Sequence, residues 1–488
     1  MSGRIVYEDV SPGAADAAVY SGSLIDEGKS VLGQLSEGVT NPNIATLEVN
    51  RWLLNGTREI YQTQVFGLFS SVVSGADGVF ATAPALTISF DQQFSGVGLS
   101  LRFGTDEVDY ASHIRITWYQ GEDVLSEKEF FPNDNSYFCE NEVTAFDKIV
   151  VEFLATAIPY RRARLENVMF GLVREFGPAD LTKAELVQEV NLISAELAIN
   201  TLDWAFRDVK GTDYMFQFKQ PINAYNGNAL LGVFYVDSAR KVGEGSYDIK
   251  CVDAIGLLDN EPFAGGVYSS KNAAELMREI AGDLFEVEVN SDLSALTVTG
   301  AIEPCTKREA MQQVAFAIGA VVDTSGSENI LVKKLGNTEK NIPENQLYSG
   351  GSLGVESIVT KVIVTWHSYA ESTSGDVEIG GVKYAETTGT VEVVNPNVTA
   401  NTRANVVEVE GATLVSESIA AEVAQRVYDY YSKRNLANVR IVVDGKIPAD
   451  MVGFTTAWGE GFTGHIERMN VKISNTVAAE TVARGLTN

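Results

Sequence analysis

ELAINTLDWAFR, residues 196–207, alternates strictly: Leu202, Trp204 and Phe206 fall on one side of an extended chain, and Asp203, Ala205 and Arg207 on the other. A period of two buries one face of a strand and leaves the other to solvent or a neighbour. The flanking stretches are built the same way: AELVQEVNLIS (184–194), YMFQFKQPINAY (214–225), ALLGVFYVDSAR (229–240) and GSYDIKCVDAIGLLDN (245–260). Between Leu181 and Asn260 there is no helical period and no catalytic signature, so this stretch predicts an antiparallel sheet or barrel.

Working outward, residues 58–172 hold six strand-like runs separated by polar turns: ALTISF, GVGLSLRF, HIRITWYQ, VLSEKEFF, FDKIVVEF and ARLENVMFG. That spacing predicts a jelly-roll-like β-sandwich. Residues 1–57, rich in Gly, Ser, Ala and Asn, read as an extended arm that docks through Leu47, Trp52 and Leu53. On the other side two helices interrupt the β pattern. Asn272 with Glu275 caps a helix carrying Met277, Ile280, Ala281 and Leu284; Thr306 with Glu309 is a capping box ahead of Ala310, Val314, Ala317 and Ile318. Strands resume at SIVTKVIVTWHSY, and a long loop region with Gly-Asp and Gly-Gly turns is expected as far as Gly411. Ile419, Val423, Val427 and Tyr430 then mark one face of a helix from about Ser416 to Arg434, followed by strands in ANVRIVVDGKI and HIERMNVKIS. The expected fold is mainly β. It comprises an arm (1–57), a β-sandwich (58–172), a first β-barrel (173–260), a small α/β segment (261–345) and a second β-barrel with one helix and a long loop insertion (346–488).

At 488 residues and 45% hydrophobic content, the chain exceeds what one core holds and calls for several domains. Sixty-five acidic against 37 basic residues give a net charge of −28, which disfavours a surface that grips nucleic acid by neutralising phosphates. Cys139, Cys251 and Cys305 are odd in number and scattered, so neither a disulfide framework nor a zinc site is expected. The opening MSGRIVYEDV has no basic stretch followed by an apolar core, and the longest apolar run, Val314 to Val322, is well short of the roughly 20 residues that span a bilayer. The expectation is synthesis in a reducing cytoplasm without membrane insertion.

Three separated stretches resemble one family. TLEVNRWLLNG, SSVVSGADGVFATAPALTISF, IRITWYQ and FDKIVVEFLATAIPYRRARLENVMFG are similar to the galactose-binding-like sandwich at the front of phage tail-tip proteins. LAINTLDWAF through YDIKCVDAIGLLDN resembles the first barrel of bacteriophage baseplate hub proteins, and CTKREAMQQVAFAIGAVVDTSGSENI resembles the segment linking their two barrels. GFTGHIERMNVKIS is like the last hairpin of the second barrel. The resemblance implies a homotrimer whose six barrels form a ring between a six-fold tail tube and a three-fold tip. It brings no catalytic residues with it.

Motifs with chemical content are weak. Gly350-Gly351-Ser352-Leu353-Gly354 matches the GxSxG nucleophile elbow, but it follows a loop and leads into strand-like residues. Gly459 to Gly464 matches GxGxxG, yet a strand follows, not the helix N-terminus that a pyrophosphate needs. His113, His367 and His465 lack ligand spacing, so no metal or other cofactor is expected. Arg161, Arg162 and Arg164 form the densest basic cluster, read as a solvated strand end or as a dock for an acidic neighbour or an anionic wall polymer. Trp118 and Tyr119 are candidates for stacking on a host glycan, with Trp118 as core anchor the alternative reading.

The expected function is therefore that of a non-enzymatic structural subunit of the tail tip or baseplate hub in a virion or phage-tail-like particle. Its expected partners are two further copies, a tail tube or distal tail protein above, a tip, spike or fibre protein below, and DNA or tape-measure protein passing through the channel. The rival readings are a carbohydrate-binding adhesin and a tail-associated peptidoglycan hydrolase or endopeptidase.

Overall fold

A computed structural model describes residues 3–11, 13–22, 68–103, 110–208, 216, 218–399 and 401–487. The chain divides into two compact units, Tyr7–Arg174 and Met1–Val6 with Glu175–Asn488. Both are mainly β.

In the unit Tyr7–Arg174, an antiparallel sheet runs in the order Val19–Gly22, Ala85–Arg102, Ser136–Thr156, Ala111–Gln120, Asp123–Phe130, with Asn167–Met169 beside the far end of Ala85–Arg102. ALTISF and GVGLSLRF, expected as two strands, are one strand of 18 residues. The polar DQQ between them makes no reversal; the ladder slips between Ser89 and Phe94, and again at Gly96 and Gly98, while pairing to the same partner strand continues. Gly98 sits at φ 141°, where a Cβ would come 2.2 Å from the Cys139 carbonyl oxygen, so only glycine fits the bend. Leu86, Ile88, Ile149 and Val151 from one half of this long hairpin share a single buried cluster with Leu99, Leu101, Cys139 and Phe146 from the other. The described residues of the expected arm include two strands. Gly3–Val10 is a strand with Ile5 and Tyr7 fully buried, and Val19–Gly22 pairs with Leu86–Ser89. Leu47, Trp52 and Leu53 lie outside the described residues.

The other unit contains the strands expected in two barrels. Among the described residues the expected strand Lys361–Glu371 lies in a separate sheet, and most of the others lie, together with Gly3–Val10 and Glu339–Asn341, in one sheet of thirteen strands. Its order is Gly171–Phe176, Gly3–Val10, Pro221–Asn226, Ala229–Gly243, Ser246–Val252, Thr201–Arg207, Leu181–Glu189, Gly461–Lys472, Ala478–Thr487, Asn435–Val442, Ser352–Val355, with Met451–Thr455 and Glu339–Asn341 branching off Gly461–Lys472. The two sets join where Glu185–Glu189 pairs antiparallel with Arg468–Lys472. The reason is physical: each set ends in a strand whose backbone groups need partners, and Leu186 opposite Val471 puts apolar side chains on the same side of both. Leu202, Trp204 and Phe206 are fully buried, as the alternation predicts, with Phe176 4.2 Å from the Phe206 ring and 5.1 Å from Trp204.

Both expected helices of the linking segment form. Ala273–Ala281 is capped by Asn272, whose Oδ1 accepts from the Glu275 amide at 3.0 Å, and Lys307–Ile318 carries the Thr306/Glu309 capping box. They pack through Leu276, Met277 and Ile280 with Ala310, Met311 and Val314. The long loop expected after SIVTKVIVTWHSY as far as Gly411 instead holds three strands, which with the expected strand Lys361–Glu371 make a four-stranded sheet in the order Val377–Ile379, Val382–Val394, Lys361–Glu371, Val406–Val409. Gly380 and Gly381 at φ 60° and 81° turn its hairpin, as the two-residue reversal between paired Ile379 and Val382 requires. The helix Glu417–Ser432 covers one face, with Ala420, Val423 and Val427 against Val362 and Val364.

Candidate interaction surfaces

The weak catalytic motifs resolve into backbone structure. Ser352 opens the strand Ser352–Val355, paired to Asn435–Asn438, and no helix follows it, so the geometry of a nucleophile elbow is missing. Gly459 lies in a tight turn closed by the Thr456 amide donating to the Glu460 carbonyl at 2.8 Å, and Gly461–Lys472 leaves it as a strand. Each histidine has a local partner. His113 Nε2 is 3.0 Å from Glu129, and His465 Nε2 is 2.9 Å from the Gly336 carbonyl, with burial pushing the His465 ring towards its neutral form. Among the described residues no three metal-ligating side chains converge. The three cysteines are unpaired, and burial pushes the Cys139 and Cys251 thiols up, away from the reactive thiolate. No helix among the described residues is long and apolar enough to cross a membrane.

Of the five candidate contact residues, Trp118 and Arg161 are buried and Tyr119, Arg162 and Arg164 are half-buried. Trp118 is 1% exposed and stands between Ile149 and Ser126 on the neighbouring strands, so no sugar ring can reach it; it is a core anchor. Tyr119 is half-buried, and the Lys148 ammonium lies 4.5 Å from its ring centroid in a cation–π contact. Arg161 is buried, with its backbone clamped by Ser74, whose amide donates to the Arg161 carbonyl at 2.8 Å and whose hydroxyl accepts from the Arg161 amide at 3.1 Å. Arg162 Nη1 donates to the Ser70 carbonyl at 2.5 Å. Arg164 is half-buried in the same short strand, where Ala163 and Leu165 alternate into the core. The cluster that looked like a basic patch in the sequence is thus largely structural.

What the fold does present is the solvent side of the thirteen-stranded sheet. There Lys250 faces Asp203, Asp203 faces Glu185 and Glu185 faces Lys472 in one row across four strands. The adjacent acids would repel, and Lys183 Nζ lies between them, 3.8 Å from Glu185 and 3.5 Å from Asp203. Arg240 pairs with Asp248 at 3.1 Å and Arg468 with Glu189 at 3.7 Å. On a chain of net charge −28, this face is mixed in sign.

Two buried polar knots brace the sheet. Arg484, its side chain 6% exposed, reaches Glu356 at 2.6 Å and Glu467 at 2.7 Å while lying 4.5 Å over the Tyr430 ring, tying the last strand to the helix Glu417–Ser432. Asp253 is fully buried at the start of the short helix Ala254–Leu258. Its Oδ1 accepts from the Gly256 amide at 3.0 Å, its Oδ2 accepts from the Thr324 hydroxyl at 2.7 Å, and that hydroxyl accepts from Asn200 Nδ2 at 3.0 Å. Burial raises the Asp253 pKa to about 6, despite these hydrogen bonds and with the nearby Asp323 adding to the rise. An Asp directly before the apolar run AIGLL signals the cap; nothing in the sequence signals its burial.

No protein-family model matches the chain. No curated protein matches it. Among solved structures it is similar to the 43 kDa tail protein of prophage MuSo2 from Shewanella oneidensis, at 13% identity and a TM-score of 0.46, over 64% of this chain and 96% of that one. It is similar to a tail protein from Neisseria meningitidis at 10% identity and a TM-score of 0.47, over 64% of this chain and 93% of that one. A third is the prophage tail protein gp18 from Listeria monocytogenes, at 11% identity and a TM-score of 0.42, over 63% of this chain and 91% of that one.

Proposed function

We propose that this chain is a structural subunit of the tail tip or baseplate hub of a tailed phage or phage-tail-like particle. In this reading three copies form a ring that joins the six-fold tail tube to the three-fold tip, and the chain works without chemistry of its own. The observation that carries the proposal is the continuous sheet. The two hub-like stretches, around Thr201–Arg207 and Gly461–Lys472, belong to one compact unit and are one strand apart in one ladder, through Leu181–Glu189. A subunit that passes assembly contacts from tube to tip needs rigid continuity between its modules, and unbroken backbone pairing supplies it. The mixed charge of the sheet's solvent side fits contact with other tail proteins and lets a polyanion pass without capture. Of the candidate contact residues in Tyr7–Arg174, the half-buried Tyr119, Arg162 and Arg164 are those that a neighbouring tail protein or a wall glycan could touch.

Light scattering on the purified chain, alone and with its tail partners, tests the ring. A trimer in either setting supports it; a stable dimer or hexamer that persists with partners present refutes it. Electron microscopy of particles labelled with an antibody to the chain is expected to place it at the end of the tail.

A further inference from the structure

His367, in the strand Lys361–Glu371, is buried with both ring nitrogens engaged. Nδ1 lies 2.7 Å from Glu386 Oε1, and Nε2 lies 2.8 Å from the backbone carbonyl oxygen of Glu410. Tyr369 donates its hydroxyl hydrogen to the same Glu386 oxygen at 2.7 Å. These donors, Tyr369 foremost and His367 after it, hold the Glu386 carboxyl below the usual carboxylate range, so that group accepts and does not donate. A carbonyl oxygen only accepts. Both ring nitrogens must therefore carry hydrogen for the two bonds to exist together, and that is the imidazolium form.

We propose that His367, Glu386 and the Glu410 carbonyl form a proton-dependent clasp, which fastens the hairpin of Lys361–Glu371 and Val382–Val394 to the segment leading into the helix Glu417–Ser432. When the ring loses a proton, one nitrogen becomes an acceptor. If Nδ1 keeps its hydrogen on Glu386, the Nε2 lone pair faces the Glu410 oxygen across 2.8 Å and the contact turns repulsive. Next to it the His367 amide donates to the Val415 carbonyl at 2.9 Å, so loss of the clasp loosens the crossing between strand and segment. The ionisable groups around the ring are Tyr369 on its own strand, Glu386 on the hairpin, Glu410 on the segment, and Glu303, which acts on Tyr369 from beyond the strand Thr297–Ile302. The helix Glu417–Ser432 packs on Val362 and Val364, the opposite side of the strand from His367. The clasp is present while both ring nitrogens carry hydrogen and is lost when either hydrogen leaves.

The test is a pH series on the full chain with ¹⁵N-labelled histidine rings. With three histidines, H367N assigns the signal, and H113N with H465N assigns it by elimination if H367N folds poorly. Two protonated nitrogens are expected at His367, and their loss with rising pH should coincide with about a tenfold drop in His367 amide protection after correction for intrinsic exchange. E386Q removes the carboxylate and should shift both changes to lower pH together. A His367 ring with one hydrogen throughout about pH 5 to 9, or protection that does not follow its titration in the parent chain, overturns the proposal.

Discussion

Asp253→Asn tests whether the buried carboxyl of the sheet sets the pH dependence of the larger unit. The carboxyl titrates near its ordinary 3.8 when unfolded and at about 6 when folded, because burial penalises its charge. A raised acid is one that the folded state prefers protonated. Between the two values the unfolded chain has already released the proton that the folded chain keeps, so stability falls as pH rises through this window and is flat above it. At about 1.4 kcal/mol per pKa unit the full cost of ionising the buried group is about 3 kcal/mol, with roughly half of it falling between about pH 5 and pH 8. The sequence pI of about 4.5 makes the lower half of the window poorly soluble, so urea titrations from about pH 5 to 8 are the working range. Asparagine caps a helix as well as aspartate does, keeping the bond from the Gly256 amide, but it cannot ionise. The Thr324 hydroxyl loses its acceptor and must rotate, a cost of about 1 kcal/mol that does not vary with pH. The expected result is therefore a difference: the stability of Asp253→Asn relative to the parent rises by about 1 to 2 kcal/mol from pH 5 to pH 8. A parent-to-variant difference that stays constant across that range refutes the assignment of Asp253 as the buried, proton-retaining acid.

Replacing Trp118 with Ala should destabilise the unit Tyr7–Arg174 by about 3 to 5 kcal/mol, since the ring is fully buried; parent-like melting would contradict its place in the core. Arg484→Ala strands Glu467, which is 17% exposed, without its guanidinium, and thermal unfolding should report a loss of about 3 to 5 kcal/mol. Gly389→Ala would set a methyl 2.5 Å from the Trp366 ring and should cost about 1 to 3 kcal/mol by the same measurement. In a filter assay at physiological salt the assembled protein should retain no DNA; tight, salt-sensitive retention would defeat the reading of the sheet face as neutral to a sliding polyanion.

The features legible in the sequence are those whose cause is local. Alternation put Leu202, Trp204 and Phe206 inside because side-chain direction in a strand is set residue by residue, and Thr306 with Glu309 fixed a helix start because a capping box closes within one turn. Val382–Val394 was hidden for the opposite reason. Its Thr and Glu residues are exposed over much of its length, so no apolar period marks it; its register comes from pairing along the whole of Lys361–Glu371. The half-burial of Arg162 and Arg164 was equally hidden, since their partner, the strand Leu68–Val73, lies far off in the chain and a run of arginines reads the same whether its backbone is edge or interior. The joining of the two strand sets is the deepest of these non-local effects. Glu185–Glu189 and Arg468–Lys472 each read as a strand with one apolar face, and neither carries a mark of the other, because backbone hydrogen bonds are the same for every residue type. Pairing partners are selected by which apolar faces can share a core, a property of the assembled unit. That selection is why the sheet, and with it the continuity on which the proposed ring depends, becomes visible only when the folded chain is in view.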